Sequence, residues 1–280
     1  MGKSEFNVRR PAVAGMFYPS DKNQLKKQIE DILKIEISKI KTELVSTDII
    51  GGVVPHAGYI YSGYEASHFF EIVRQSKKSF STVIILNPDH HGFSPSYATT
   101  PHSEWETPLG KLTIDNELAE YFPKSEKAHR DEHSAEVMLP FIQTFFGDKV
   151  NVLPISIGYP VPEVAEELAK KIQKAVEETK REILVIASSD FSHYVTPQEG
   201  EKLDNLALAK ILSLDSHGLF QTIRHNGITI CGYGPIMTLI EYSKLVTEKP
   251  IAKIAARGNS GKNSDSTTVV DYITILFSAQ

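Results

Sequence analysis

Four consecutive apolar residues precede a polar turn in the stretch Val83-Ile84-Ile85-Leu86-Asn87-Pro88-Asp89-His90-His91. The same order recurs in Ile183-Leu184-Val185-Ile186-Ala187-Ser188-Ser189-Asp190-Phe191-Ser192-His193. Because neither apolar run alternates with polar residues, we expect both faces of each predicted strand to be buried. Such strands are typical of a parallel sheet that helices cover on both sides. These two stretches therefore predict an α/β fold.

The rest of the chain supplies the further strands and the helices that such a fold needs. Strands are predicted at Ile49–Val54, Thr82–Leu86, Val150–Ile155, Ile183–Ala187, Ile251–Ala256 and Thr267–Phe277, with irregular strands within Tyr97–Ile114. Helices are predicted from a cap at Ser20 or Asp21 to Ile35, at Tyr64–Arg74, Ser134–Phe146, Pro162–Glu178 and Pro235–Val246, and twice within Glu201–Arg224. Since no linker rich in Pro, Gly or Ser divides the chain, we predict one domain over residues 1–280. Its central sheet is expected to be largely parallel, with helices on both faces.

Composition argues against several classes of protein. The 280 residues include 30 Lys and Arg against 35 Asp and Glu, and the net charge of −5 argues against a general binder of nucleic acid or of anionic membranes. No stretch approaches the roughly 20 apolar residues that span a bilayer, and the first residues lack the apolar segment of a signal peptide. Cys231 is the only cysteine, so no intrachain disulfide can form. We therefore expect a soluble cytoplasmic protein.

Side chains that can bind a ligand follow the predicted strands at the points where those strands end. They are His56, His90, His91, Asp190 and His193, while Cys231 stands just before the last predicted helix. A single histidine in a loop often only forms a hydrogen bond that stabilises a turn, and a lone cysteine usually packs as a small apolar residue. Ligands of open α/β sheets, however, bind beyond the carboxyl ends of the strands. The convergence of these groups predicts a metal site or an acid/base site at that edge.

A further cluster, Asp131-Glu132-His133-Ser134, opens the helix that is predicted to end at Phe146. Asp or Ser is the expected helix cap there. Glu132 and His133 are additional candidates for the same site.

Seven blocks spread over nearly the whole chain resemble those of one known family. They are Val13-Ala14-Gly15-Met16-Phe17-Tyr18-Pro19, Pro55-His56-Ala57-Gly58-Tyr59, Asp89-His90-His91, Thr107-Pro108-Leu109-Gly110, Asp131-Glu132-His133-Ser134 with Glu136, Ser188-Ser189-Asp190-Phe191-Ser192-His193 and Ile230-Cys231-Gly232. The family is Memo, named for a mediator of ErbB-driven cell motility, and a prokaryotic member is expected. The resemblance implies a fold similar to the class III extradiol ring-cleaving dioxygenases, which use non-haem iron(II). It also implies association with a radical-SAM protein and an AMMECR-type protein.

The resemblance implies roles for individual residues. It makes His56, His90 and Cys231 the metal ligands, with iron(II) expected first and zinc second. It matches His193 to the acid/base histidine of the dioxygenases and places Asp190 in the same pocket. The other expected pocket residues are Phe17, Tyr59, Tyr61, His91, Glu132 and His133. Ring-cleaving dioxygenases carry a carboxylate where Cys231 stands, and because a thiolate is softer and itself oxidisable, their oxygen chemistry cannot simply be transferred.

Three functions remain open from the sequence. The leading hypothesis is a mononuclear metal enzyme of redox type, related to the extradiol dioxygenases, with an unknown substrate. The first alternative is a protein that binds a small molecule or a peptide in the same pocket without turnover. The second is a metal-independent thiol enzyme in which Cys231 is the nucleophile and His193 its base.

Overall fold

The computed structural model describes residues 8–45, 48–147, 149–263 and 266–280. Residues 1–7, which form the first part of the stretch on which the expectation of no signal peptide rests, lie outside the described part. Its strands are β1 (Val8–Arg9), β2 (Asp48–Val54), β3 (Thr82–Pro88), β4 (Ala98–Thr99), β5 (Glu104–Thr107), β6 (Gly110–Thr113), β7 (Asn151–Ile157), β8 (Ile183–Ser188), β9 (His193–Val195), β10 (Pro250–Asn259) and β11 (Val269–Ala279). Its helices are α1 (Lys22–Glu36), α2 (Tyr59–Ser76), α3 (Asn116–Ala119), α4 (Lys127–Arg130), α5 (Leu139–Phe146), α6 (Pro162–Thr179), α7 (Pro197–Leu212), α8 (Ser216–Asn226) and α9 (Tyr233–Val246).

The main sheet has a parallel centre and antiparallel margins. Its strand order is β10-β11-β2-β8-β3-β7-β4, and β9 pairs with β11 outside this order. The strands β2, β8, β3 and β7 are mutually parallel, whereas β11 and β10 on one side and β4 on the other run antiparallel to their neighbours. The α/β class with a largely parallel centre is thus confirmed. All residues of β3 and β8 are buried, as their uninterrupted apolar runs require.

Helices cover both faces of this sheet. On one face α9 lies against β2, β3 and β8, and α6 packs on α9. On the other face α2 lies against β2, β10 and β11, while α1 and α5 pack on α2. A stacked pair of rings, Phe70 and Phe141 with centroids 4.9 Å apart, joins α2 to α5. In the described residues no helix is both long and apolar enough to cross a membrane.

Two helices differ in their bounds from the sequence prediction. Helix α2 begins at Tyr59 rather than Tyr64. Its first turns include Gly63, where an added Cβ would lie 2.8 Å from Ile32 Cδ1 of α1, so a small residue lets the two helices approach closely. That glycine interrupts the apolar pattern from which the helix start was predicted. The predicted helix from Ser134 begins instead as a 3-10 turn, Glu136–Met138, before α5.

Candidate metal centre

A cavity of about 570 Å³ opens at the carboxyl end of the parallel strands. Strand β2 ends just before His56, β3 ends just before His90, and β8 ends just before Asp190. Seven of the residues expected at the site line this cavity: Phe17, His56, Tyr61, His90, His133, Asp190 and His193. The convergence of strand ends that the sequence predicted therefore produces a concave site.

Three imidazoles meet in this cavity. One ligand atom from each of His56, His90 and His133 lies within 4.8 Å of the other two, and no other group of three His, Cys, Asp or Glu in the described residues meets this condition. The ring centroids are 5.3 Å apart for His56 and His90, and 4.7 Å apart for His90 and His133. Imidazole nitrogen is a common ligand of zinc, iron, copper and nickel. The group could hold one metal ion.

Hydrogen bonds determine which nitrogen of His56 is free. The Ser188 hydroxyl donates its single hydrogen to the Ser134 carbonyl at 2.7 Å. Its oxygen therefore accepts from His56 Nδ1, at 2.8 Å, so Nδ1 carries the ring hydrogen and Nε2 keeps its lone pair. Burial, together with the neighbouring His133 and His90, lowers the pKa of His56 well below its usual value. His56 is therefore neutral and ready to bind a cation.

A buried carboxylate orients His90. Glu132 Oε1 accepts from His90 Nδ1 at 2.9 Å, and Glu132 Oε2 accepts from the backbone N–H of His90 at 2.8 Å. Burial alone would raise the pKa of Glu132, but its hydrogen bond with His90 and the charge interactions outweigh burial and lower that pKa. An ionised carboxylate only accepts hydrogen bonds, so His90 Nδ1 is a donor. Burial opposes protonation of His90, but the hydrogen bond and the charge of Glu132 outweigh it and raise the pKa of His90, so a metal ion at Nε2 would displace a proton from the charged ring. A carboxylate behind an imidazole is the usual support of a metal-binding histidine.

His133 joins the group from the segment between α4 and α5. Its Nδ1 lies 3.5 Å from Glu132 Oε1, and its ring packs against Phe17 with centroids 4.7 Å apart. Burial lowers its pKa to about 4, with a further contribution from His90 and an opposing one from Glu132. The sequence indicated His133 only as a pocket candidate, because in the chain it stands at the opening of a helix. The adjacent Glu132 was the signal, since a carboxylate beside a histidine can orient two imidazoles at once.

Cys231 contacts the same site from the start of α9. Its sulfur lies 3.2 Å from His56 Nε2 and accepts the backbone N–H of Asp190 at 3.3 Å. Burial and the Asp190 carboxylate raise the pKa of the thiol, so in the metal-free chain it is protonated. Ligands of one metal, with nitrogen at about 2.0 Å and sulfur at about 2.3 Å, lie roughly 3–3.6 Å apart at right-angled or tetrahedral geometry. The observed separation of sulfur and Nε2 fits a shared ion.

Asp190 and His193 occupy the loop after β8. Asp190 Oδ1 accepts the backbone N–H of His56 at 2.7 Å, and burial raises the pKa of its carboxyl to about 6. His193 Nδ1 lies 2.8 Å from the Thr229 carbonyl, which can only accept, so Nδ1 is the donor and Nε2 is the nitrogen at which the ring can gain or lose a proton. His193 thus has a basic nitrogen that its own hydrogen bond leaves free.

Three expected pocket residues lie away from the cavity lining: Tyr59, His91 and Glu132, the last of which is buried behind His90. Tyr59 is 2% exposed, and its hydroxyl donates to the Val137 carbonyl at 2.7 Å. Because α2 begins at Tyr59, helical periodicity turns this ring into the core, whereas Tyr61 lines the cavity. His91 is exposed, and its Nε2 lies 3.2 Å from the Asp131 carbonyl on the outer surface of the loop. Of the adjacent pair, His90 is therefore the residue in the site.

One solved structure resembles the chain in fold. It is described as an uncharacterized protein, JW3007, from Escherichia coli K12, and the TM-score is 0.50 at 13% sequence identity. The match covers 74% of this chain and 90% of that chain. At this identity the similarity concerns the fold alone.

Sequence comparison covers almost the whole chain. A protein described as a MEMO1 family protein from Desulfurococcus amylolyticus is 41% identical over 281 residues, covering 96% of this chain and 98% of that protein. A protein of the same description from Sulfurisphaera tokodaii is 39% identical over 284 residues, covering 96% and 99%. The family model described as Memo-like protein matches residues 9–276. The expected family is thereby confirmed: this chain belongs to the Memo-like protein family.

Proposed function

We propose that this protein binds one transition-metal ion in the cavity, through His56, His90 and Cys231, and uses it in redox chemistry on a small molecule. Iron(II) is the proposed metal, by the family's similarity to extradiol dioxygenases, and zinc is the alternative. One observation carries the proposal: hydrogen bonds to Ser188 and Glu132 occupy Nδ1 of both histidines, so that Nε2 of each is the ring nitrogen left for a metal ion in one cavity. Metal-binding sites are typically preorganised in this way.

The third donor distinguishes two versions of this site. Cys231 Sγ lies 3.2 Å from His56 Nε2, which suits two donors on one ion, but His56, His90 and Cys231 do not form a group of three whose ligand atoms all lie within 4.8 Å of one another. His133 instead belongs to the three imidazoles whose ligand atoms lie within 4.8 Å of one another. We favour Cys231, because a cation stabilises the thiolate and offsets the burial that keeps the free thiol protonated. His133 is then a neutral neighbour that faces substrate.

The residues of the chain divide the remaining tasks. When bound, the metal supplies a Lewis acid and a site for electron transfer. His193, oriented by the Thr229 carbonyl, accepts or returns a proton at Nε2. Asp190 holds the loop of His56 by accepting its backbone N–H, and with a pKa of about 6 its carboxyl is mostly ionised at neutral pH. Phe17 and Tyr61 offer an aromatic wall to a planar substrate.

A metal-independent thiol enzyme is disfavoured by the surroundings of the sulfur. A nucleophilic cysteine needs a lowered pKa, and burial beside Asp190 raises the pKa of Cys231. The hydrogen-bonding contacts of the sulfur are with His56 and Asp190, while His193 Nδ1 bonds to the Thr229 carbonyl. Binding of a small molecule or a peptide without turnover uses the same cavity and is an outcome of the test below.

The remaining proposals concern the setting of the protein. We propose a cytoplasmic location and association with a radical-SAM protein and an AMMECR-type protein, both on the family resemblance. Pull-down of the native protein from its own cells, with each partner identified by mass spectrometry, tests the association. Nucleic acid and membranes are not proposed as partners, in keeping with the net charge of −5.

Metal stoichiometry after anaerobic loading with iron(II), and in parallel with zinc, tests the site. The wild type should hold a single ion, Cys231→Ala should lose most of it, and His193→Ala and His133→Ala should retain it. The matched control is His91→Ala, an exposed histidine next to His90. If Cys231→Ala kept its metal and His133→Ala lost it, the third ligand would be His133 and not Cys231. No metal in the wild type would refute the metal function and leave ligand binding without turnover.

A further inference from the structure

Two buried carboxyl groups face each other outside the candidate metal centre. Asp204 on α7 is fully buried and Asp271 on β11 is 4% exposed. The two side chains lie within hydrogen-bonding reach of each other, yet neither Oδ2 atom has a hydrogen-bond donor among the residues that the structure describes. Two ionised carboxylates cannot bond to each other, because neither carries a hydrogen. One bound proton would satisfy both oxygens.

The local charge also calls for one proton. Arg257 of β10 is the nearest cation, with Nη2 3.9 Å from Asp204 Oδ2 and Nη1 bonded to Asn205 Oδ1. Two carboxylates and one guanidinium leave one negative charge in a buried place. Among the other titratable side chains on neighbouring elements, Glu201 lines the same cavity as Asp271 and Arg257. The remaining ones are bonded elsewhere: His193 to Thr229, Lys262 to Glu65 and Asp190 to the His56 backbone. Burial and the Asp204 charge raise the pKa of Asp271 to about 7.

The pair is bonded to the loop that carries Asp190 and His193. Asp204 Oδ1 accepts the backbone N–H of Ser192 at 3.2 Å and its hydroxyl at 2.7 Å. The backbone of Asp271 accepts from Phe191 N at 2.9 Å and donates to the Ser192 carbonyl at 2.9 Å. Residues 191 and 192 are therefore held from α7 on one side and from β11 on the other. The same loop covers the sulfur of Cys231 through the backbone N–H of Asp190.

We propose that Asp204 and Asp271 are positioning residues, which share one proton and thereby hold residues 190–193 against the cavity. While the proton is present, the hydrogen bond that it forms between Asp204 and Asp271 links α7 to β11 beside the Ser192 backbone. When it leaves, two adjacent buried carboxylates repel each other and the loop loosens from one of the two elements. The inference does not rest on the proposed metal function, because every group in it belongs to the metal-free chain.

The first test measures unfolding by urea between pH 5 and pH 8 in metal-free wild type and in Asp271→Asn. In the wild type the folded chain holds this proton more tightly than the unfolded chain. The stability that this proton contributes is complete below about pH 4. As pH rises from about 4 to about 7 that stability is lost, and the folding constant falls by about tenfold per pH unit. The Asn amide can donate to Asp204 permanently, so the variant should lack this component. Asp204→Asn serves the same purpose if Asp271→Asn does not fold, and Asp31→Asn, at an exposed ion pair, is the control. Equal pH slopes in wild type and in the folded variant would overturn the proposal.

The second test reads the loop directly and would not respond to a merely structural role. Since Cys231 is the only cysteine, the rate of its labelling by a thiol reagent reports how often the loop uncovers it. Because the thiol ionises in both proteins, its effect on labelling cancels in the ratio of the wild-type labelling rate to the Asp271→Asn labelling rate. We expect this ratio to rise by up to about tenfold per pH unit as pH approaches 7 from below, and to level off above pH 7, where the closed loop has already lost the proton. A ratio that stays constant from pH 6 to pH 8.5 would refute the coupling between the pair and the loop.

Discussion

Replacing Glu132 by Gln tests how the candidate metal centre is preorganised. Glu132 Oε1 accepts from His90 Nδ1 at 2.9 Å and from the Ser134 hydroxyl at 2.7 Å, while Oε2 accepts the His90 backbone N–H at 2.8 Å. A glutamine keeps one acceptor oxygen and turns an NH₂ group toward the other donor. Either the ring or the backbone N–H of His90 then faces a donor. The change therefore removes both a charge and an acceptor from one histidine.

The expected cost follows from these bonds. A donor without an acceptor in a buried place costs about 1–3 kcal/mol, which urea unfolding of the metal-free chain should detect. Loss of the group behind a metal-binding histidine typically weakens metal binding 10–100-fold, which competition with a chelator for zinc should measure. Glu126→Gln is the control, because its partner Arg130 is a distant surface contact at 3.8 Å. An unchanged zinc affinity together with unchanged stability would refute the role of Glu132.

Two further predictions concern stability. Arg9→Met should destabilise the fold by about 3–5 kcal/mol in urea unfolding, because it removes the cation from a buried ion pair in which Arg9 lies 2.6 Å from Glu136. The control is Arg10→Met at the exposed neighbouring position, which should change the stability little. Equal losses of stability in the two variants would contradict this prediction. Burial lowers the pKa of His129 to about 4, while its Nε2 donates to the Ala98 carbonyl at 3.0 Å. The folded chain thus binds this proton less tightly than the unfolded chain, so stability is present above about pH 6.5 and is lost as pH falls toward 4. Between pH 7 and pH 5 the free energy of unfolding should fall by about 2 kcal/mol less in His129→Gln than in the wild type. An equal fall in both proteins would contradict the assignment.

The strands were the part of the fold most accessible to sequence reasoning. The run at Ile183–Ala187 became β8, Ile183–Ser188, and Thr82–Leu86 became β3, Thr82–Pro88. A strand that is buried on both faces has no polar position, so its bounds are visible as an uninterrupted apolar run. The start of α2 was less accessible, because Gly63 is needed for contact with α1 and looks unlike a helix residue in sequence.

The candidate site was accessible only in part. Residues that directly follow parallel strands must share one sheet edge, which is why His56, His90 and Asp190 were expected together. His133 arrives there through a loop, and only the folded chain shows that its ring stacks beside His90, with centroids 4.7 Å apart. Tyr59 was expected in the pocket, but the first turn of α2 directs it into the core.

The sequence by itself determined the α/β class, the family and the edge of the sheet at which the titratable groups collect. Those properties depend on local pattern and on chain order, and both can be read along the chain. Tertiary structure alone decided which ring nitrogens are free, since Ser188 and Glu132 reach His56 and His90 from distant segments. It also decided that Asp204 and Asp271 meet, because a helix and a strand far apart in sequence pack against the same loop. Protonation depends on burial and on neighbouring charge, and neither is a property of a residue's position in the chain.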